Sequence, residues 1–210
     1  CVARDVSEER RRERRLTGLT DASRELLAAT DREDVSRIAI RTVSDVLDHE
    51  IACVRLYDAD ANELVRTATS DAAAALVESA LAYDLKSSNA GAAYRSGETV
   101  RNEAAADDAY ADDPRRAEVH VPLGDFGVLS VFDREAPLTA VDVRLIELFA
   151  GVLRSAFTRA ERDTRLRSRQ SELERRREEL AATDRFNTLV TEVIRSVLRA
   201  ASSSQTDCLT

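Results

Sequence analysis

Seven residues of this chain have the types and the spacing to line a binding cleft. Cys53, Arg55 and Tyr57 alternate with Val54 and Leu56, while His120, Ser130 and Phe132 alternate with Val119, Val121, Leu129 and Val131. In strands, that alternation sends one set to each face of a sheet. If the aliphatic set packs against helices, the thiol, guanidinium, phenol, imidazole, hydroxyl and phenyl ring share the opposite face. A few polar groups set among apolar ones are what a small-molecule site requires. Tyr94, in an irregular stretch between the strands, could close over that face. The alternative is a face that is collapsed or merely solvated.

Other residues with chemical potential are poorly placed to use it. His49-Glu50 would suit phosphotransfer only on a helix and with a glycine-rich nucleotide site elsewhere, but Ile51 opens a strand and no such glycines follow. At the C-terminal end of a helix, His49 instead favours the negative end of the dipole. Cys53, in mid-strand, reads as a small hydrophobe. Cys1, Cys53 and Cys208 show no paired spacing, so neither a disulfide framework nor a zinc site is indicated. Asp107, Asp108, Asp112 and Asp113 lack the glycine and terminal Glu of a calcium loop and read as a solvated acidic segment. No metal, cofactor or catalytic residue is expected.

Periodicity shows the elements that would position these residues. Residues 8–29 read as a helix with Leu16, Leu19, Leu26 and Leu27 on one stripe. Thr30-Asp31-Arg32-Glu33 is a capping box opening a second helix, with Val35, Ile38, Ala39, Thr42, Val46 and Leu47 at a period near 3.6. At Glu50 the pattern switches to alternation: a strand over Ile51 to Tyr57, a turn over Asp58 to Asn62, and a second strand over Leu64 to Thr69. A short alanine-rich helix over 71–82 and a mixed stretch over 87–112 follow, the latter with a helical turn near Ala90 to Arg95 and a short strand around Thr99 to Asn102. Ala117 to Leu123 and Phe126 to Asp133 form a hairpin, with Gly124-Asp125 suited to a tight turn. Pro137 then stops the chain, Thr139 can cap a new helix, and Asp142 can return the bond. That helix runs to about Ala200 with Gly151 the one breaker, and at 1.5 Å per residue would reach roughly 90 Å. The class is α+β, an antiparallel sheet with helices gathered on one side and long helices at both ends.

Composition limits the function classes. Of 31 basic residues Lys86 is the only lysine, against 39 acids and a net charge of -8. Arginine-rich, acidic sequence is what a salt-adapted, halophilic cytoplasm favours, because carboxylates keep surfaces hydrated. Nucleic-acid binding depends on clustered cations, so net acidity argues against it for this segment. The run Arg10 to Arg15 is interleaved with acids and reads as a solvated helix face. No apolar run reaches the roughly 18 residues of a membrane span. A chain that opens at Cys and contains no Met is expected to be part of a longer polypeptide.

The order of three motifs resembles the closing half of a GAF domain: Val121-Pro122-Leu123, then Phe126-Gly127-Val128-Leu129-Ser130-Val131, then Asp142 to Ala150. Ile51 to Tyr57 resembles that family's first core strand, and Gly91 with Ser96-Gly97-Glu98 its mid-domain turn, with Thr99 where the family has proline. The resemblance spans residues 16–160 and implies that the face carrying Cys53, Arg55, Tyr57, His120, Ser130 and Phe132 forms a ligand cavity under the irregular insert. Three specialised chemistries of the family lose their residues here. Val54, not His, follows Cys53 as bilin attachment would need; the cyclic-nucleotide signature is missing; and one cysteine in the domain is too few for methionine sulfoxide reduction.

The flanks extend the resemblance. Residues 1–7 look like the last strand and exit of a PAS-like domain, 8–15 a connector helix, 161–185 a coiled-coil-like connector, and 186–210 the start of a second GAF-like unit. That tandem is similar to archaeal bacterio-opsin activator-like regulators of transcription, with a sensor histidine kinase or a ligandless dimerisation spacer as the alternatives. Leu166, Leu173 and Leu180 recur every seven residues, although Gln170 and Arg177 weaken the seam. Pairing these leucines with a second copy, with Leu19 and Leu26 of the first helix joining in, predicts a parallel homodimer. The expectation is a cytoplasmic, non-catalytic GAF sensor that relays a small-molecule signal through paired helices.

Overall fold

The computed structural model describes residues 2–76, 82–102, 117–134 and 137–206. Its elements are α1 (Val2–Ala28), α2 (Arg32–Asp45), β1 (Ile51–Asp58), β2 (Glu63–Thr69), α3 (Asp71–Leu76), β3 (Ala82–Asp84), α4 (Asn89–Ser96), β4 (Val100–Asn102), β5 (Ala117–Pro122), β6 (Gly127–Asp133) and α5 (Ala140–Thr206). The chain divides into two units, Cys1–Asp163 and Thr164–Thr210.

In the first unit the strands form one antiparallel sheet in the order β3-β2-β1-β6-β5-β4. Alternation decides its faces. Ala52, Val54, Leu56, Val119, Val121, Leu129 and Val131 meet Leu26 of α1, Val35, Ala39 and Val43 of α2, and Ile146, Leu153 and Phe157 of α5 in one buried core. The long helices therefore gather on one face, as the patterning predicts. The short helices serve the other face: Ala73 of α3 packs on Ile51 and Phe132, and Ala90 of α4 on Leu64 and Val128. A bulge opposite Val54 and Arg55 inverts the alternation of β2, so Ala68 turns to the helices while Leu64 turns away.

Capping fixes where the helices begin. Asp31, not Thr30, caps α2: its carboxylate accepts from the Asp34 amide at 2.8 Å, and Asp34 in turn accepts from the Thr30 hydroxyl at 2.9 Å. The expected box is thus displaced by one residue, because a carboxylate at Asp31 outcompetes the neighbouring hydroxyl. Thr139 caps α5 as read from sequence, accepting from the Asp142 amide at 3.2 Å while Asp142 accepts from the Thr139 amide at 3.3 Å. From there α5 continues past Gly151 to Thr206.

Four further expectations are corrected. Residues 2–7 are the first turns of α1 and not a strand. Gly124-Asp125 is not a two-residue turn but part of a 3-10 turn, Gly124–Phe126, closed by the Leu123 amide on the Gly127 carbonyl at 2.8 Å. The longer loop lets Phe126 stack on Phe157 of α5, 5.4 Å between ring centres. His49 lies beyond α2, whose regular turns end at Asp45, and is buried. Leu26 is 1% exposed and Leu19 packs on the same core, so the α1 leucines that face outward are Leu16 and Leu27. The acidic segment with Asp107, Asp108, Asp112 and Asp113 lies outside the described residues, as do Cys1 and Cys208.

In the second unit α5 exposes Leu166, Leu173 and Leu180, each more than half accessible. Among the described residues no helix is long and apolar enough to cross a membrane.

Candidate functional site

The sheet face away from the long helices carries a continuous polar chain. Its first link comes from strand register: His120 of β5 sits opposite Ser130 of β6, and Ser130 opposite Cys53 of β1. The His120 ring nitrogen Nδ1 lies 2.9 Å from Ser130 Oγ. Arg55, two residues on from Cys53 along β1, donates from Nη1 to the same Oγ at 3.4 Å. On the other side of the ring, His120 Nε2 is 3.5 Å from Glu118 Oε2. Asn89, in the first turn of α4, donates its side-chain amide to Glu118 Oε1 at 2.7 Å.

The first donor is set by chemistry. Arginine has no acceptor, so Ser130 accepts from Arg55, and its hydroxyl still has a proton and a lone pair with which to meet either tautomer of His120 at Nδ1. On the far side of the ring Nε2 faces the Glu118 carboxylate at 3.5 Å, with no hydrogen bond between them. A cation at one end and an anion at the other flank a hydroxyl and an imidazole. Arg55, Glu118, His120 and Ser130 are each at most 2% exposed. Buried charges persist when paired; here Glu118 is held by Asn89 and Arg55 by Ser130, while Arg55 Nε, His120 Nε2 and Glu118 Oε2 make no hydrogen bond among the described residues.

Backbone close approach holds the chain in place. A Cβ on Gly127 would fall 2.0 Å from the Arg55 carbonyl oxygen, so only glycine lets β6 lie against β1 at this point, and its φ of +148° suits glycine too. A Cβ on Gly91 would meet the Leu85 carbonyl at 2.3 Å, so glycine also lets α4 settle with Asn89 over Glu118.

Of the residues singled out by alternation, Arg55, His120, Ser130 and Phe132 come together, the Phe132 ring meeting the His120 ring edge-on at 5.7 Å. Tyr57 and Tyr94 form a separate pair, stacked at 4.9 Å, with the Tyr94 hydroxyl donating to the Asp125 carbonyl at 3.3 Å. Burial raises the Tyr94 phenol above its ordinary range, helped by Tyr57 and Asp125. Cys53 turns its thiol to its own strand, 3.7 Å from the Val54 carbonyl, and burial raises its pKa against the pull of Arg55 and Arg66. Glu118 and Asn89 were missed. The first stands two residues before His120 and shares its face by the same period-two rule; the second has no signal in sequence, because its place depends on how α4 docks.

Serine, imidazole and carboxylate stand in the order of a hydrolytic relay, but their surroundings do not suit one. A nucleophile must be reached by its substrate, whereas here Arg55 already donates to Ser130 and all members are buried. Among the described residues no three His, Cys, Asp or Glu side chains converge to hold a metal. On the helical face, a cleft of about 490 Å³ lies between α2 and the β2–α3 corner. Its arginines are already matched, Arg37 to Asp34 and Arg41 to Glu25.

Comparison places this architecture among known proteins. The family profile described as GAF domain matches residues 29–158. Among solved structures, the GAF domain of an Acinetobacter phosphoenolpyruvate-protein phosphotransferase is similar at a TM-score of 0.58 and 18% identity, over 70% of this chain and 93% of that one. The free methionine-R-sulfoxide reductase of Neisseria meningitidis aligns at 0.59 and 18%, over 69% and 88%. The second GAF domain of DevS from Mycobacterium smegmatis aligns at 0.54 and 20%, over 63% and 96%. No curated protein matches the chain in sequence.

Proposed function

The chain belongs to the GAF domain family of sensory and regulatory modules, and on that premise we propose that it is a non-catalytic sensor relaying the state of its sheet through paired helices. The observation that carries this reading is α5. Val143, Ile146, Phe149, Leu153 and Phe157 anchor its first turns in the core, and the same helix runs to Thr206 with Leu166, Leu173 and Leu180 exposed. An isolated helix of this kind is marginal in water, so its leucines call for a partner, and a second copy in parallel supplies the same stripe.

The input in this reading is a small molecule on the sheet face carrying Arg55, His120, Ser130 and Phe132, with Tyr57 and Tyr94 at its margin. Binding there would redistribute the hydrogen bonds of the polar chain and move α4 through Asn89. Catalysis is not part of the reading. Although one similar structure is a reductase, Cys53 is the one cysteine within the matched region, and its raised thiol pKa is opposite to what a nucleophile needs. The finer assignment is to a cytoplasmic regulator of transcription of the bacterio-opsin activator-like kind. It is supported by the arginine-rich acidic composition and by the motif at residues 186–210.

Sedimentation of the chain beside its Leu173→Glu variant tests the relay. A dimer that the substitution dissociates is expected; monomers in both samples remove the paired-helix reading. A thermal-shift screen of metabolites tests the input, since a ligand at a hundred times its Kd stabilises by about 2.7 kcal/mol.

A further inference from the structure

The corner between α2 and β1 brings together three elements that a relay must coordinate. Asp48 adopts a left-handed backbone, φ 61°, and the next amide, His49, closes the end of α2 on the Val43 carbonyl at 3.1 Å. Arg15 of α1 reaches this corner: Nη2 is 3.3 Å from both the Leu47 carbonyl and Asp48 Oδ2. The other arm of the same guanidinium, Nη1, is 3.6 Å from Asp142 Oδ1, in the first turn of α5. Asp142 is already committed to the α5 cap through Thr139, whose hydroxyl donates to it at 2.6 Å. Arg15 thus ties α1 to the α2 corner and to the start of α5 at once.

The imidazole of His49 lies within this junction. It is 7% exposed, and among the described residues neither ring nitrogen has a hydrogen-bond partner. Four charged groups act on it: Asp142 on α5, Asp133 at the end of β6 and Asp48 beside it favour its protonated form, and Arg15 on α1 opposes it. A neutral ring tolerates this setting. A protonated ring would repel the Arg15 guanidinium and compete with it for Asp142; the Arg15 and Asp142 side chains are 22% and 19% exposed, so that water screens the two cations only in part.

We propose that His49 makes this corner a proton-operated latch: its neutral ring permits Arg15 to hold α1 against the first turn of α5, and its protonation releases that hold. Burial, the largest influence on the ring, keeps it neutral at neutral pH, so the latch opens only on acidification. The module then carries a second input, local acidity, at the opposite end of β1 from Tyr57 and independent of any ligand.

Two measurements on the 210-residue chain decide it. The first is the NMR titration of the two histidine rings, assigned with a His120→Gln variant. The second is amide exchange, corrected for intrinsic rate, across residues 13–19 and 141–147 between pH 7.5 and 5. The latch requires the His49 ring to titrate below the ordinary histidine range, with protection in both segments falling at least tenfold together as it does. His49→Phe, with His49→Gln in reserve should the first not fold, is expected to keep protection flat over that range, and Arg15→Gln to lack it throughout. A His49 ring that titrates at or above the ordinary value, or a His49 variant that loses protection with acid as the natural chain does, overturns the proposal.

Discussion

Arg159 of α5 closes the end of α1 that Leu26 begins: its Nη2 donates to the Leu26 carbonyl at 2.8 Å and to that of Ala29 at 3.2 Å, while Nη1 serves Leu27. The last carbonyls of a helix have no partner within it, and α1 carries no basic residue in its own last turn. A neighbouring helix supplies the cap. Arg15 and Asp142 join α1 to α5 near the other end of the pair, so the two helices run parallel and are tied twice.

Arg159→Met keeps the aliphatic stem and removes the donors. Leaving the carbonyls unmatched is expected to cost about 1–3 kcal/mol, since the hydrogen bonds involve a charged donor. For a chain of this size that lowers the melting temperature by several degrees. Calorimetry checks it, and an unchanged midpoint would mean that water replaces the guanidinium at no cost.

The polar chain makes a sharper prediction. Glu118→Leu removes the acceptor for the Asn89 amide and the carboxylate that faces His120 Nε2 at 3.5 Å. Breaking a buried charge arrangement from one side is expected to cost about 3 kcal/mol. Glu118→Gln retains an acceptor oxygen for one neighbour and is expected to cost less. Urea unfolding of the two variants measures the difference, and equal midpoints would show that Glu118 is replaceable.

Acid should weaken the fold through His49. His49 has a folded-state pKa below the unfolded value, chiefly through desolvation, with Arg15 adding to it and Asp142, Asp133 and Asp48 opposing. Between those two values the unfolded chain binds the proton and the folded one does not, so stability falls as the pH drops through the unfolded value and levels off below the folded one. Denaturation midpoints at pH 7.5, 6.5 and 5.5 should fall in that order, and His49→Phe should flatten the series.

Cys53 offers a reactivity test. With the thiol buried and its pKa raised, little thiolate exists at pH 8 and the sulfur is out of reach. Iodoacetamide is expected to leave the Cys53 peptide unmodified until urea unfolds the chain. Rapid labelling under native conditions, read by peptide mass, would mean that β1 is far more open than its register indicates.

The sheet and its two faces were legible because period-two alternation is a local property: Val54, Val121 and Leu129 go inward wherever the helices lie, and Arg55, His120 and Ser130 follow. The hairpin turn at Gly124 was misread because φ preference identifies glycine's conformation but not loop length, which here is set by Phe126 reaching Phe157. Leu26 was placed on a dimer face because a leucine stripe does not say which side meets the chain's own core. Asn89 was invisible for the same reason that α4 was only partly legible, its position being decided by the Gly91 contact with the Leu85 carbonyl.

That distinction between stripes yields the last prediction. Leu26 is 1% exposed within the core, whereas Leu16 and Leu27 are 60% and 65% exposed on the same helix. Leu26→Ala should therefore cost about 2–5 kcal/mol of stability by opening a cavity, with little effect on association. Leu16→Glu with Leu27→Glu should do the reverse, because charges on exposed positions strain a second copy and not the fold. Denaturation and sedimentation on the same samples separate the two effects. If Leu26→Ala dissociates the chain while the double variant does not, α1 meets its partner through the core side and the assignment of its faces is wrong.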